Sequence, residues 1–255
     1  MKRFIGLLQF MTRIPINADF GIDEEFHKSI VYFPLVGFVI GLISFIVGSL
    51  GVKIFDPFLT SILIVACEVV LTGGLHIDGL GDTFDAIYSN RDKERMLEIM
   101  KDSRLGTNSL LAILFLVLIK IGLLNSIISS NLLWIVIFMP VIARLGVIVM
   151  LYKTVTPRKV GMGNMFIGKA TLSMFIITII YSAVIIIVMG KFIFLSSNIL
   201  VIKLLSSILA VMLFDYLFKN HIYKKIDGVT GDILGCTIEI GELIFLLYSY
   251  IIIMI

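Results

Sequence analysis

Thr72-Gly73-Gly74-Leu75-His76-Ile77-Asp78-Gly79-Leu80-Gly81-Asp82-Thr83-Phe84-Asp85 is the stretch on which the reading of this chain turns. Three carboxylates, one histidine and four glycines fall within fourteen residues, and nearly everything on either side is oily. The apolar run over 58–75 feeds directly into it. An acidic, glycine-rich segment at the end of such a run marks where a membrane helix stops and where chemistry is to be sought.

The surroundings decide the fold class. Of 255 residues, 59% are hydrophobic and 15% charged, where a soluble domain carries about 25% charged residues. A core of this size cannot bury that much apolar surface without lipid. The apolar residues come in runs near the length that crosses a hydrocarbon core of about 30 Å. The expected fold is all-α: a polytopic membrane protein with about seven transmembrane helices, plus short interfacial or cytoplasmic helices. Residues 1–255 are expected to form one integral-membrane domain. Candidate spans are 30–51, 58–75, 109–129, 132–152, 171–190, 199–218 and 233–254. The stretch before them, 1–11, is too short to span and predicts an interfacial or packed helix. Residues 17–29 are polar and predict a loop. Cys67 and Cys236 lie inside apolar runs and suggest neither a disulfide framework nor a zinc site.

Lys and Arg give the orientation. They cluster before the first span (Lys2, Arg3, Arg13, Lys28), after the second (Arg91, Lys93, Arg95, Lys101, Arg104), after the fourth (Lys153, Arg158, Lys159, Lys169) and after the sixth (Lys219, Lys224, Lys225). With seven spans these segments share one side, which the positive-inside rule assigns to the cytoplasm. The expected location is the cell (inner) membrane, multi-pass, with the N-terminus and the acidic stretch cytoplasmic.

Asp78, Asp82 and Asp85 are spaced by four and three and lie within about 60° of one another on a helix. Three anionic groups on one face repel unless a cation sits among them, and hard oxygen ligands suit Mg²⁺ held by carboxylates plus substrate phosphates. The plain alternative is a solvated acidic face. Gly73 and Gly74 are placed to open the end of the second span, and Gly79 and Gly81 to let a ligand approach the backbone. His76 serves either to position the loop or to touch substrate. Downstream, Arg91, Arg95, Glu98 and Asp102 form one helical stripe. Asp102 and Arg104 stand at the membrane entrance, where arginine suits phosphate.

A second polar cluster is Asp227-Gly228-Val229-Thr230-Gly231-Asp232. Thr230 or Asp232 is a candidate cap for the last span. Asp232, Glu239 and Glu242, spaced by seven and three, share one face, and the two glutamates lie within the span. Ionisable groups inside a membrane mark function by default. Glu68, Lys120 and Arg144 add three more, and a structural ion pair of Arg144 with Glu242 is the alternative for two of these charges. Most intramembrane charge falls in the cytoplasmic halves of the spans. That suits a cavity open to the cytoplasm better than a through-channel. The loop Gly161-Met162-Gly163-Asn164-Met165-Phe166-Ile167-Gly168-Lys169 is glycine-rich near a membrane entrance but lacks the P-loop spacing.

Leu71-Thr72-Gly73-Gly74-Leu75-His76-Ile77-Asp78-Gly79-Leu80-Gly81-Asp82 and Arg95-Met96-Leu97-Glu98-Ile99-Met100-Lys101-Asp102-Ser103-Arg104-Leu105-Gly106-Thr107 strongly resemble the cobalamin synthase family, the adenosylcobinamide-GDP ribazoletransferases. The likeness extends to Phe10–Pro15, Phe33–Gly37, Gly163–Lys169 and Thr230-Gly231-Asp232 with Glu239 and Glu242. Gly81 departs from the family pattern, which has alanine there. Glu68 belongs to none of these blocks.

The resemblance implies transfer of α-ribazole, or its 5′-phosphate, onto adenosylcobinamide-GDP, releasing GMP and forming adenosylcobalamin or its phosphate. It implies Mg²⁺ as cofactor, with Asp78, Asp82, Asp85 and Asp102 as metal ligands. Asp78, Asp82 or Asp232 would serve in catalysis. His76, Arg13, Arg104, Lys169, Asn164, Arg144, Glu239 and Glu242 would contact substrate or phosphate. The implied partners are the two substrates and the lipid bilayer, with no nucleic acid; other late cobalamin-assembly enzymes and an oligomer are compatible with it. A CDP-alcohol phosphotransferase-like enzyme and a cation-coupled transporter are the alternative readings.

Overall fold

A computed structural model describes residues 2–17 and 23–254. It is built from helices, and no strand occurs among the described residues. Helix α1 (Lys2–Met11) buries Leu7, Leu8 and Met11 on one face, as an interfacial helix should. The expected loop over 17–29 lies partly outside the described residues, and its end departs from expectation. Phe26–Tyr32 is a 3-10 helix running straight into α2 (Phe33–Gly51), because Phe26 and Ile30 are drawn into the core. Then come α3 (Pro57–Thr72), α4 (Leu75–Ile87), the short α5 (Lys93–Ile99) and α6 (Thr107–Ser129). A 3-10 turn over Leu133–Phe138 leads into α7 (Met139–Leu151). The chain closes with α8 (Leu172–Ile187), α9 (Asn198–Ile226) and α10 (Gly231–Tyr248).

Six of these helical runs are long and apolar enough to cross a membrane. The α3–α4 pair makes a seventh if counted as one span, but it is bent by 90°. The bend has a local cause. Gly73 and Gly74 both adopt left-handed backbone, at φ 62° and 73°, a region that costs a residue with a Cβ. Asp56 accepts a hydrogen bond from the Leu59 N–H at 2.7 Å, and Pro57 fills the first turn, so α3 has a firm start as well as a firm end. Helix α9 outruns its expected span, reaching Ile226 rather than 218. Its last turns carry Lys219, Lys224 and Lys225, which end the apolar run without ending the helix.

Helix α7 is the hub. Every residue from Met139 to Leu151 except Val149 is buried. Helix α2 lies against it with Gly37 facing the Pro140 carbonyl and Gly41 facing that of Ile137. The outside is the reverse: Leu110, Leu114, Phe115 and Leu118 on α6, and Ile176, Ile177, Ile180 and Val184 on α8, are exposed. A monomeric soluble protein rarely exposes so large an apolar surface; hydrocarbon accommodates it. This is a membrane protein.

The bundle's alternation brings the α3–α4 corner, the loops after α4 and α7, and the start of α10 to one end. Contacts there join distant segments: Lys93 to Asp227 at 2.8 Å, Lys225 to the Ile87 carbonyl at 3.1 Å, and Arg158 to Asp232 at 2.8 Å.

Gly79 on α4 packs against α10 so closely that an added Cβ would stand 2.6 Å from the Asp232 carbonyl oxygen. Gly79→Ala is therefore expected to cost about 1–3 kcal/mol through overpacking, read as a lowered thermal midpoint in detergent. Gly122→Ala, with open space at its Cβ on α6, is the control and is expected to be neutral or slightly stabilising. Equal midpoints for the two variants would contradict the packing argument.

Candidate active site

The site forms where α4 crosses α10. Gly79 presses on the backbone of Asp232, and Gly235 presses on that of His76, whose Cα lies 3.2 Å from where a Cβ would be. A glycine from each helix meets the other's backbone, so the helices approach closely enough to bring Asp78 and Asp82 beside Asp232. From the sequence, Gly79 and Gly81 are expected to let a ligand approach the backbone. Instead they serve packing, Gly79 against α10 and Gly81 against the Ser109 hydroxyl of α6.

The three aspartates of α4 have different surroundings. Asp78 is exposed and Asp82 half-buried; the Asp78 N–H donates to the Gly74 carbonyl at 2.9 Å, and neither carboxylate has a hydrogen-bond or salt-bridge partner among the described residues. Asp82 lies within electrostatic reach of Asp78, Asp232, Asp85 and Arg158. Asp85 is already engaged: its carboxylate accepts the N–H groups of Gly106 at 2.7 Å and Ser109 at 3.0 Å. It thereby caps the start of α6, whose N-cap residue, Gly106, offers no side chain. Asp102 stands apart. Its carboxylate is paired with Arg104 at 2.5 Å. That hydrogen-bonded guanidinium holds its pKa down to about 2, so it stays ionised until the pH falls to that value.

Thr230, not Asp232, caps α10, accepting from the Ile233 N–H. Asp232 is left free for another partner, the Arg158 guanidinium, on its Oδ2. Asn164 supports this arrangement from the glycine-rich loop: its Nδ2 donates to the Arg158 carbonyl at 3.0 Å, while Gly163 abuts Gly231. A cavity of about 360 Å³ opens here. Asp78, Asp232, Arg158 and His76 line it together with Phe10, Phe33 and Phe166. In the sequence Arg158 is one of several basic loop residues, because its pairing with Asp232 spans 74 positions and leaves no local pattern.

The charges inside the spans form a separate network. Lys120 Nζ lies 2.7 Å from Glu239 and 2.6 Å from Glu242, and Arg144 Nη1 lies 3.1 Å from the other oxygen of Glu242. The Arg144–Glu242 pair weighed from sequence is present, with Lys120 as its second cation. Arg144 also approaches His76 Nδ1 at 3.4 Å. Glu68 borders the network, its Oε1 accepting from Ser44 at 3.4 Å and its Oε2 unpartnered. Two cations and two anions balance in this pairing, as low dielectric requires. Arg144, Glu239 and Glu242 line a small space beneath His76, apart from the 360 Å³ cavity.

The remaining phosphate candidates are spread out. Arg13 lies over Gly73 at the α3–α4 corner, its backbone N–H bonded to the Leu71 carbonyl at 2.6 Å. Lys169 and Arg104 are both exposed, Arg104 paired with Asp102. Among the described residues no three His, Cys, Asp or Glu side chains converge as a ready-made metal cage. Asp78 and Asp82 fit the other kind of site, in which one or two carboxylates hold Mg²⁺ together with substrate phosphates. Their oxygens have no competing partner, whereas those of Asp85 and Asp102 do.

A helical membrane protein with unpartnered carboxylates at one end, beside an arginine and an apolar cavity, is suited to moving a phosphoryl-linked group at the membrane surface. The chain belongs to the cobalamin-5-phosphate synthase family, whose model matches residues 3–250. It is 65% identical over 253 residues to the adenosylcobinamide-GDP ribazoletransferase of Clostridioides difficile (strain 630), covering 99% of this chain and 98% of that one. It is 42% identical over 254 residues to the protein of that name from Alkaliphilus metalliredigens, covering 99% and 96%. With the one from Clostridium novyi it shares 41% over 249 residues, covering 97% and 96%. No solved structure matches the chain.

Breaking a buried ion network by removing one partner costs about 3–5 kcal/mol. Lys120→Met leaves Glu239 without its cation and is expected to lower the thermal midpoint sharply. Adding Glu239→Gln removes the stranded charge and should recover much of the loss. A double variant no more stable than Lys120→Met would show that the network is not held together by charge balance.

Proposed function

We propose that this protein is an integral-membrane adenosylcobinamide-GDP ribazoletransferase, with its acidic site at the cytoplasmic face. The observation that carries the reading is the meeting of Asp78, Asp82 and Asp232 at the α4–α10 crossing, in a chain of this family. In the reaction, a ribose hydroxyl of α-ribazole, or of its 5′-phosphate, attacks the phosphorus bonded to the cobinamide. The bond from that phosphorus to the GMP oxygen breaks, and GMP leaves. Such transfers depend on positioning and on neutralising charge more than on covalent help.

Asp78 and Asp82 would hold Mg²⁺ together with the substrate phosphates, where it would supply neutralisation of the pyrophosphate charge. Asp232 accepts the hydroxyl proton on Oδ1, while its Oδ2 stays fixed by Arg158. Asp85 keeps the start of α6 in place against α4. The buried network of Lys120, Arg144, Glu239 and Glu242 locks α10 to α6 and α7 and so holds the crossing. The cytoplasmic orientation is supported by the basic residues gathered at the site's end of the bundle.

Purified protein in detergent is expected to make adenosylcobalamin, or its 5′-phosphate, from the two substrates, to stop with EDTA and to recover with Mg²⁺. Asp82→Asn should reduce turnover by about 10²-fold or more, the scale of losing one preorganised electrostatic group, with the thermal midpoint unchanged. Substantial turnover by Asp82→Asn, or by the wild type in EDTA, would sink the metal assignment.

A further inference from the structure

We propose that Arg158 and the 360 Å³ cavity form the acceptor subsite, and that Arg158 selects an acceptor carrying a 5′-phosphate. This rests on the transferase reading above. The cavity is lined by two unlike sets of groups. One is aromatic: Phe166 meets Phe10 at 5.6 Å and Phe33 at 5.2 Å between ring centroids, and all three line the space. The other holds Arg158, Asp232 and Asp78. Its ligand therefore has a flat apolar part and an anionic part.

Arg158 is poised but incompletely used. Its Nη1 is held by Asp232 at 2.8 Å, and its side chain is 13% exposed. Its Nε and Nη2 are buried and have no hydrogen-bond partner among the described residues. Leaving buried donors of a charged group without an acceptor is unfavourable, so these two nitrogens mark a missing acceptor. Paired guanidinium N–H groups match two oxygens of a phosphate. Asp232 fixes the guanidinium, so the phosphate is met by a preset fork.

The two substrates divide cleanly between this cavity and its surroundings. A corrin macrocycle is too broad for it. Guanine would bring a row of donors and acceptors against the phenylalanine rings, where they would lose their hydration without replacement. The dimethylbenzimidazole of α-ribazole is flat and mostly apolar, and its ribose can carry the phosphate. With the base against Phe10, Phe33 and Phe166 and the phosphate on Arg158, the ribose between them comes near Asp232, which is bonded to Arg158 and is the group proposed to take its proton.

The test is steady-state kinetics of the full chain in detergent, with α-ribazole 5′-phosphate and free α-ribazole as alternative acceptors. The wild type is expected to favour the phosphorylated acceptor in kcat/KM by about tenfold or more, a ratio that corresponds to ~1.4 kcal/mol. Arg158→Ala should abolish that preference by raising KM for the phosphorylated acceptor, with KM for adenosylcobinamide-GDP unchanged. Should that variant fail to fold, Arg158→Gln, which keeps a donor for Asp232, carries the same expectation. Phe166→Leu should weaken both acceptors alike and leave the preference intact. A preference that persists without Arg158, or a rise in KM for adenosylcobinamide-GDP instead, overturns the subsite alone. No product from the wild type with either acceptor overturns the transferase reading and the subsite with it.

Discussion

Two backbones touch where α4 crosses α10, and the rest of the site depends on that contact. Gly79 and Gly235 remove the side chains that would hold the helices apart. The approach converts three aspartates from distant parts of the chain into one acidic surface. Such a surface is unfavourable by itself, since like charges repel at short range. It persists because α4 is fixed at both ends. The Gly73-Gly74 corner sets its start, and Asp85 ties its last turn to α6 through two backbone N–H groups.

The buried ion network supplies the second constraint. Lys120 on α6, Arg144 on α7 and the glutamates of α10 satisfy one another away from water. A slip of α10 along its axis would leave several charges stranded at once. The network is thus a register device for α10, a role for which polar groups in cores are well attested. His76 links it to the cavity, touching Arg144 with one ring nitrogen while its residue lines both spaces. The two groups of charges differ: those within the spans are paired and hold the helices, whereas the Asp78 and Asp82 carboxylates have no partner among the described residues.

Much of this was legible from the residues. Apolar runs mark the spans because hydrocarbon permits little else, and the paired glycines at 73 and 74 announce the end of α3. The facing of Asp78 and Asp82 follows from helical spacing, and the Arg144–Glu242 pair from depth in the membrane. What sequence could not supply were pairings between elements. Asp85 looks like a third metal ligand until the α6 N-terminus arrives to occupy it. Arg158 looks like one of several loop cations until it meets Asp232. Hydropathy also misplaced the end of α9, since it reports where lipid ends and not where a helix does.

The most direct measurement is anomalous scattering from crystals of the full chain grown with Mn²⁺ in place of Mg²⁺ and with adenosylcobinamide-GDP bound. A peak bridging the Asp78 and Asp82 carboxylates and the pyrophosphate is the expected result. A peak at Asp102, or none near α4 while the pyrophosphate is in place, would contradict the assignment of the α4–α10 crossing as the catalytic centre.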